Sequence, residues 1–240
     1  MLLRMVTYNI HKCRGMDRRV RPDRILAVLK AIGADVIALQ EVLSRPGSPP
    51  EIDQAGYLAH HLGMHLAMGE NRRLRGAAYG NAVLSRFPLH SCCNYDLSVG
   101  GRENRGCFRT EVLYSPTCRL QVFNAHLGTG FFERRRQAQI LIRQLSANKG
   151  THAPRVILGD FNEWTKGLTS RLLTAHLRAA DVRSHLNWRR TYPGIFPILY
   201  LDHVYYDSAL HLESLKLDRS APALLASDHL PLIANFQIAS

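Results

Sequence analysis

Val156-Ile157-Leu158-Gly159-Asp160-Phe161-Asn162 reads as a short buried strand that ends at Gly159 and delivers a carboxylate and a carboxamide just beyond it. Three apolar residues in a row, two of them β-branched, suit a buried strand, and glycine then lets the backbone turn. Ligands and catalytic groups in α/β proteins collect just past the ends of such strands. Asp and Asn are also ordinary turn formers. The segment therefore gains its meaning only if other strand ends repeat it.

They do. Toward the N-terminus, Met5 to His11 alternates apolar and polar residues as a first strand ending at Asn9. A helix follows from Pro22, with Ile25, Val28, Leu29 and Ile32 on one face and Gly33 at its end. Val36 to Leu39 forms a second strand closed by Gln40-Glu41, completing a β-α-β opening that implies a helix packed on a sheet. Ser44 to Pro50 is a polar loop, Gln54 to Leu62 a helix stopped by Gly63, and Gly80 to Ser85 another strand. Ser98 to Arg105 is rich in glycine and charge, a loop. Cys107 to Tyr114 and Leu120 to His126 form a hairpin. A helix is expected over Gln137 to Leu145, with Arg134, Arg135 and Arg136 at the end that the helix dipole disfavours for cations. Beyond Asn162 come a helix through Leu168, Leu172, Leu173 and Leu177, a strand from Ile198 to Tyr206 holding Asp202, and Ser227-Asp228-His229 before Leu230 to Ile238. With no linker or repeat, residues 1–240 are expected to form one domain.

Bulk composition excludes less than it suggests. The 46% apolar and 21% charged content is that of a globular protein, and no apolar run approaches membrane-spanning length. The opening Met1-Leu2-Leu3-Arg4-Met5 lacks the pattern of a signal peptide, and the five cysteines show no metal spacing, so a reduced, cytoplasmic protein is expected. A formal charge of +12 favours a polyanionic partner, nucleic acid first and an anionic lipid surface second, although scattered basic pairs can equally serve solubility.

The polar residues at strand ends are Asn9, Glu41, His126, Asp160, Asn162, Asp202, Asp228 and His229. Carboxylates and carboxamides suit a hard divalent cation, which takes one or two carboxylates and completes its shell with water and substrate phosphate. Two histidines beside such an ion suit proton transfer and phosphate binding.

Taken in order, Thr7-Tyr8-Asn9-Ile10, Gln40-Glu41, Gly80-Asn81-Ala82-Val83-Leu84-Ser85, Asn124-Ala125-His126-Leu127, Gly159-Asp160-Phe161-Asn162, Leu201-Asp202 and Ser227-Asp228-His229 resemble the motifs of the endonuclease/exonuclease/phosphatase superfamily over nearly the whole chain. Gly194-Ile195-Phe196-Pro197 and Arg136-Gln137-Ala138-Gln139 resemble its short bacterial members of undefined substrate. The resemblance implies a DNase I-like four-layer α/β sandwich, with two mixed sheets face to face, helices outside, and the site at one edge. It also implies an Mg²⁺-dependent phosphodiesterase or nuclease, with Mn²⁺ a possible substitute. Glu41 would be the principal metal carboxylate, with Asn9 and Asp228 beside it. Asp202 would orient His229. Either His229 or Asp160 would be the base for an attacking water, Asn162 would orient that water, and His126 would bind the phosphate or protonate the leaving group. Arg105 and Asn81 are candidate phosphate contacts, although a surface loop residue is the safer reading of Arg105, and Glu103 is the candidate carboxylate beside His126. Tyr8, Phe161 and Trp164 flank the expected site as core residues or base-stacking platforms. A phospholipid or sphingomyelin headgroup, or a small phosphomonoester, fits the same motifs. A non-catalytic binding module fits them poorly, because no expected ligand or histidine is missing.

Overall fold

The computed structural model describes residues 2–147, 153–163, 167–180, 191–193 and 199–238. Trp164, Ile198 and Gly194-Ile195-Phe196-Pro197 lie outside the described residues. In chain order the elements are β1 (Leu2–Asn9), a 3-10 turn (His11–Cys13), α1 (Pro22–Ile32), β2 (Val36–Ser44), α2 (Gln54–Leu62), β3 (His65–Leu74), β4 (Ala77–Ser85), β5 (Leu89–Asp96), β6 (Gly106–Leu113) and β7 (Arg119–His126). They continue with α3 (Phe131–Ala147), β8 (Arg155–Asp160), α4 (Leu168–Thr174), β9 (Arg178–Ala179), β10 (Asp202–Tyr206), β11 (Leu210–Leu217), α5 (Ala221–Ala226) and β12 (Leu232–Ile238).

Twelve strands make two six-stranded sheets, ordered β11-β12-β1-β2-β4-β3 and β5-β6-β7-β8-β10-β9. Each has one parallel pair among antiparallel neighbours, β1 with β2 through α1 and β7 with β8 through α3. Parallel neighbours end on the same edge of a sheet. Asn9 thus lies opposite Gln40, next to Glu41, and His126 lies opposite Asp160. The register of the two parallel pairs, more than any loop, assembles the expected residues.

Strand alternation sorts the layers. Leu3 and Met5 of β1, Val36 and Ala38 of β2, Leu120 and Val122 of β7, and Val156 and Leu158 of β8 meet in one core between the sheets. The intervening Val6, Tyr8, Ile37 and Leu39 pack under α1 and α2, while Phe123, Ala125 and Ile157 pack under α3. Helix, sheet, sheet, helix is the expected four-layer sandwich. Among the described residues no helix is long and apolar enough to cross a membrane.

Several expected boundaries move. β8 runs on through Asp160, because Gly159 is a paired strand residue opposite Ala125 and not a turn. A Cβ there would lie 1.9 Å from the Ala125 carbonyl oxygen, so glycine is required for close approach of the strands. β2 continues past Glu41 to Ser44, with an irregularity between Leu39 and Val42 where Glu41 adopts φ +58°. Leu199 makes an isolated bridge with Tyr192, and the strand proper begins at Asp202. α3 starts at Phe131, ahead of the arginine run. Arg134 turns inward to the carbonyls of Gly128 and Thr129, while Arg135 and Arg136 stay exposed.

Candidate active site

On the inward faces of the central strands, the side chains change from apolar to polar toward one edge. Past Met5 come Thr7 and Asn9, past Ala38 comes Gln40, and past Val122 come Asn124 and His126. Asn124 ties the sheets together: its Nδ2 donates to the carbonyls of Leu39 and Ala82, each at 2.9 Å, and its Oδ1 accepts from Gln40 Nε2 at 2.7 Å. Asn81 donates to the carbonyls of Gly106 (3.0 Å) and Asn124 (3.1 Å). Buried polar groups need such partners. This wall is the floor of the site, and sequence reading missed Gln40 and Asn124 as parts of it. Asn81, expected near phosphate, has its donor committed to the wall. The atom it leaves unpartnered is Oδ1, an acceptor that an anion does not want.

Above the floor, Asp160 is the hub. Its Oδ2 accepts from Asn9 Nδ2 at 3.0 Å and lies 3.5 Å from His126 Nε2 and 3.6 Å from His229 Nε2. Its Oδ1 accepts from the backbone N–H of Asn162 at 2.9 Å. Asn162 adopts φ +50° and donates its amide to the Leu127 carbonyl at 2.9 Å, pinning the two segments that follow the parallel strands.

The two imidazoles facing Asp160 are in opposite states. His229 Nδ1 contacts Asp202 Oδ2 at 3.0 Å, both groups being buried. Burial alone would lower its pKa, but Asp202, then Asp160, overcome this and raise it to about 10, so His229 is an imidazolium at neutral pH. Around His126 the balance reverses. Burial, reinforced by the Arg105 guanidinium, outweighs Asp160 and Glu41 and lowers it to about 4, leaving a neutral ring. Arg105 Nη1 lies 3.1 Å from Nδ1 and 3.0 Å from Nε2 of His126. Arg105 is buried, which discards its reading as a surface residue. Glu103 is not the carboxylate beside His126, because its oxygens pair with Arg105 at 3.0 Å and Arg72 at 2.8 Å; Asp160 occupies that position.

Glu41 is the fourth corner. Asn9 Nδ2 reaches its Oε1 at 3.3 Å and the Lys12 ammonium pairs with its Oε2. Burial works against its ionisation, but His126, charged once the medium is acid enough to protonate Glu41, together with Lys12 and His11, outweighs it and holds the carboxyl well below the usual carboxylate range. Tyr79, whose ring carries the Lys12 ammonium 5.6 Å from its centroid, is kept protonated by burial and by Glu41. His11 Nδ1 lies 3.5 Å from Asp228 Oδ1. His11, Lys12 and Tyr79 escaped the motif reading although each adjoins a motif, His11-Lys12 following Asn9-Ile10 and Tyr79 preceding Gly80-Asn81. Tyr8 and Phe161 are fully buried core residues and cannot stack on a base.

The donor set fits a hard divalent ion at Glu41. That carboxylate is ionised, partly open, and already holds a cationic group in the Lys12 ammonium. Among the described residues no three His, Cys, Asp or Glu side chains converge as a ready-made metal cluster. An ion that keeps several waters and takes substrate oxygens does not need one.

A family model described as the Endonuclease/Exonuclease/phosphatase family matches residues 6–229. The chain is 30% identical to YbhP, an uncharacterised protein of Escherichia coli K12, over 98% of this chain and 96% of that one. An endonuclease/exonuclease/phosphatase structure from Beutenbergia cavernae superposes with a TM-score of 0.76 at 23% identity, covering 100% of this chain and 72% of that chain. A mannosyl-6-phosphatase of Bacteroides thetaiotaomicron superposes with a TM-score of 0.78 at 16% identity, covering 98% of this chain and 100% of that chain.

Proposed function

The chain belongs to the endonuclease/exonuclease/phosphatase family, and we propose that it is a divalent-metal-dependent phosphodiesterase that hydrolyses its substrate by in-line attack of water, with nucleic acid the first substrate to test. One observation carries this reading: a single buried carboxylate, Asp160, faces a neutral imidazole on one side and an imidazolium on the other. A purely structural ion pair has no use for the second, neutral ring. Hydrolysis uses all three.

Mg²⁺ held at Glu41, with Asn9 and Asp228 beside it, would neutralise phosphate charge and stabilise the leaving oxygen. Asp160 takes the proton from the attacking water, because His229 already carries its proton. His229, oriented by Asp202, grips a non-bridging phosphate oxygen as a cation. Arg105 adds charge on the opposite side and reinforces the burial that keeps His126 neutral, so that its ring can hydrogen-bond the leaving-group oxygen. Asn162 holds the Asp160 carboxylate in place through its backbone N–H.

Purified protein incubated with supercoiled plasmid and Mg²⁺, with EDTA and His229→Ala controls, tests this directly. Nicking that needs both Mg²⁺ and His229 supports a nuclease. Intact plasmid at high enzyme rejects it, and parallel trials with mono- and bis-(p-nitrophenyl) phosphate then separate monoester from diester hydrolysis.

A lipid phosphodiester is the second reading, favoured by Phe131 and Phe132. These rings are 60% and 79% exposed at the start of α3, directly after the loop that follows His126, with exposed Arg135 and Arg136 beside them. Aromatic and basic side chains together suit an anionic lipid surface. Sedimentation with anionic but not zwitterionic vesicles, lost in Phe131→Ser/Phe132→Ser, would promote it over the nuclease.

A further inference from the structure

We propose that Lys12 is an exchangeable counter-ion for Glu41: its ammonium neutralises that carboxylate while no divalent ion is bound, and passes to a phosphate oxygen of the substrate once the ion takes its place. The second half rests on the phosphoesterase reading; the first needs only a cation at Glu41.

The backbone is shaped for this contact. His11, Lys12 and Cys13 adopt φ +46°, +58° and +56°, a left-handed run containing no glycine. Such residues are rarely found in succession and persist only where their surroundings hold them. Here Gln54 Nε2 grips the Lys12 carbonyl at 2.7 Å, the Cys13 N–H donates to the Ile10 carbonyl at 2.7 Å, the Arg21 N–H donates to the Cys13 carbonyl at 2.8 Å, and the Cys13 thiol is buried. Glu41 is itself left-handed, at φ +58°. Two constrained backbones from different elements therefore aim an ammonium and a carboxylate at each other. A lysine on a free surface needs no such arrangement.

The pair cannot coexist unchanged with a bound divalent ion. Glu41 Oε2 is the oxygen that Lys12 holds, while Oε1 takes the Asn9 amide, so both oxygens are engaged. A second cation on the same carboxylate would stand beside the ammonium and repel it. The side chain has somewhere to go: its ammonium already lies 5.6 Å from the centroid of the Tyr79 ring, whose face stabilises cations. From there the flexible stem can reach a bound phosphate, for which an ammonium is a suitable point-charge partner. His11 at Asp228 repeats the arrangement on the neighbouring carboxylate, and its backbone N–H donates to Asn9 Oδ1 at 3.0 Å, so the one turn contacts all three expected metal-binding residues.

The full chain, stripped of metal, is titrated with Mn²⁺ by calorimetry as wild type, Lys12→Met and Lys12→Arg, followed by orthophosphate titration of the Mn²⁺-loaded proteins. Lys12→Met is expected to bind Mn²⁺ about fivefold more tightly, the equivalent of losing competition from a partly exposed ion pair. Lys12→Arg should stay near wild type. Orthophosphate affinity should fall about tenfold in Lys12→Met, the lower end for one charged hydrogen bond, as suits a partly screened phosphate. Equal or weaker Mn²⁺ affinity in Lys12→Met overturns the exchange, and tighter Mn²⁺ with unchanged orthophosphate affinity overturns its second half. If Lys12→Met does not fold, Lys12→Gln is read by the same criteria. No Mn²⁺ binding by any of the proteins, wild type included, overturns the metal-dependent reading itself, whereas equal binding by all overturns this proposal alone.

Discussion

Replacing Asp202 with Asn changes one buried charge and almost no volume, so it isolates what holds His229 protonated. Asp202 is fully buried and gives one oxygen to His229 Nδ1 at 3.0 Å. His229 has its pKa raised from the ordinary 6.5 to about 10. At 1.36 kcal/mol per pH unit the net shift is worth roughly 5 kcal/mol, the excess of its anionic neighbours over the opposing cost of burial. Asp202 is the largest of those neighbours, so at least roughly 2 kcal/mol is expected to rest on it. A folded pKa above the unfolded one means stability that is fully present below about pH 6.5 and lost as pH rises toward 10. Asn also removes the burden of burying a carboxylate whose second oxygen has no hydrogen-bond partner, so stability at one pH is not diagnostic. The slope is. Urea unfolding from pH 6.5 to 10 should show Asp202→Asn losing about 2 kcal/mol less than wild type across that range. The alkaline limb of phosphoesterase activity should move down by roughly one to two pH units, since the imidazolium is lost earlier. Parallel stability curves for the two proteins, or a wild-type His229 ring that titrates near 6.5 by NMR, would refute the assignment of His229 as a permanent cation.

His126 titrates in the opposite sense: its folded pKa of about 4 lies below the unfolded value, so wild type should lose roughly 3 kcal/mol as pH falls from 6.5 to 4, a loss absent from His126→Gln in acid unfolding curves. In turnover assays the same variant should lose about 10²–10⁴-fold in rate. Gly159→Ala places a methyl 1.9 Å from the Ala125 carbonyl at φ +149°; it should cost more than about 3 kcal/mol in urea unfolding, and a fully stable variant would contradict the close strand approach. Asn124→Ala strips the Leu39 and Ala82 carbonyls of their side-chain donor, while Gln40 Nε2 keeps Thr7 Oγ1 and the Ala38 carbonyl as acceptors. With about 1–3 kcal/mol for each of the two carbonyls, its midpoint in urea should fall by the equivalent of at least about 2 kcal/mol.

What the sequence makes legible and what it hides follow from which strands are central. β1, β2, β4, β7, β8 and β12 are covered on both faces, carry apolar runs, and can be read from their residues alone. The sheet edges are β3, β5, β9 and β11, and none announces itself. His65–Leu74 and Leu89–Asp96 are largely exposed and mix charge, glycine and cysteine, as suits an edge that must resist further pairing. β11 does alternate, with Leu210 and Leu212 buried, but a register shift between Leu212 and Ser214 puts Leu215 out of phase and erases the period. Periodicity also cannot say which strands join which sheet. The face-to-face packing was legible only through the ordered motifs.

The site divides along the same line. Residues at the ends of central strands stand out because polar side chains there interrupt an apolar pattern. Asn124 and Gln40 interrupt it equally, but one step earlier, and nothing in the sequence separates a polar floor from the reacting groups above it. Arg105 and Lys12 are hidden for another reason: a basic residue in a polar stretch looks solvated until the fold turns it inward, as the left-handed turn does for Lys12 and the Glu103 pairing does for Arg105. Burial, reinforced by Arg105, keeps His126 neutral while Asp202 keeps His229 charged, so two histidines of identical intrinsic chemistry become a neutral ring and a cation around one carboxylate. In the proposed mechanism that asymmetry leaves Asp160 to accept the proton from water, and the two partners that set it, Arg105 just before β6 and Asp202 at the start of β10, belong to the same sheet as Asp160 itself.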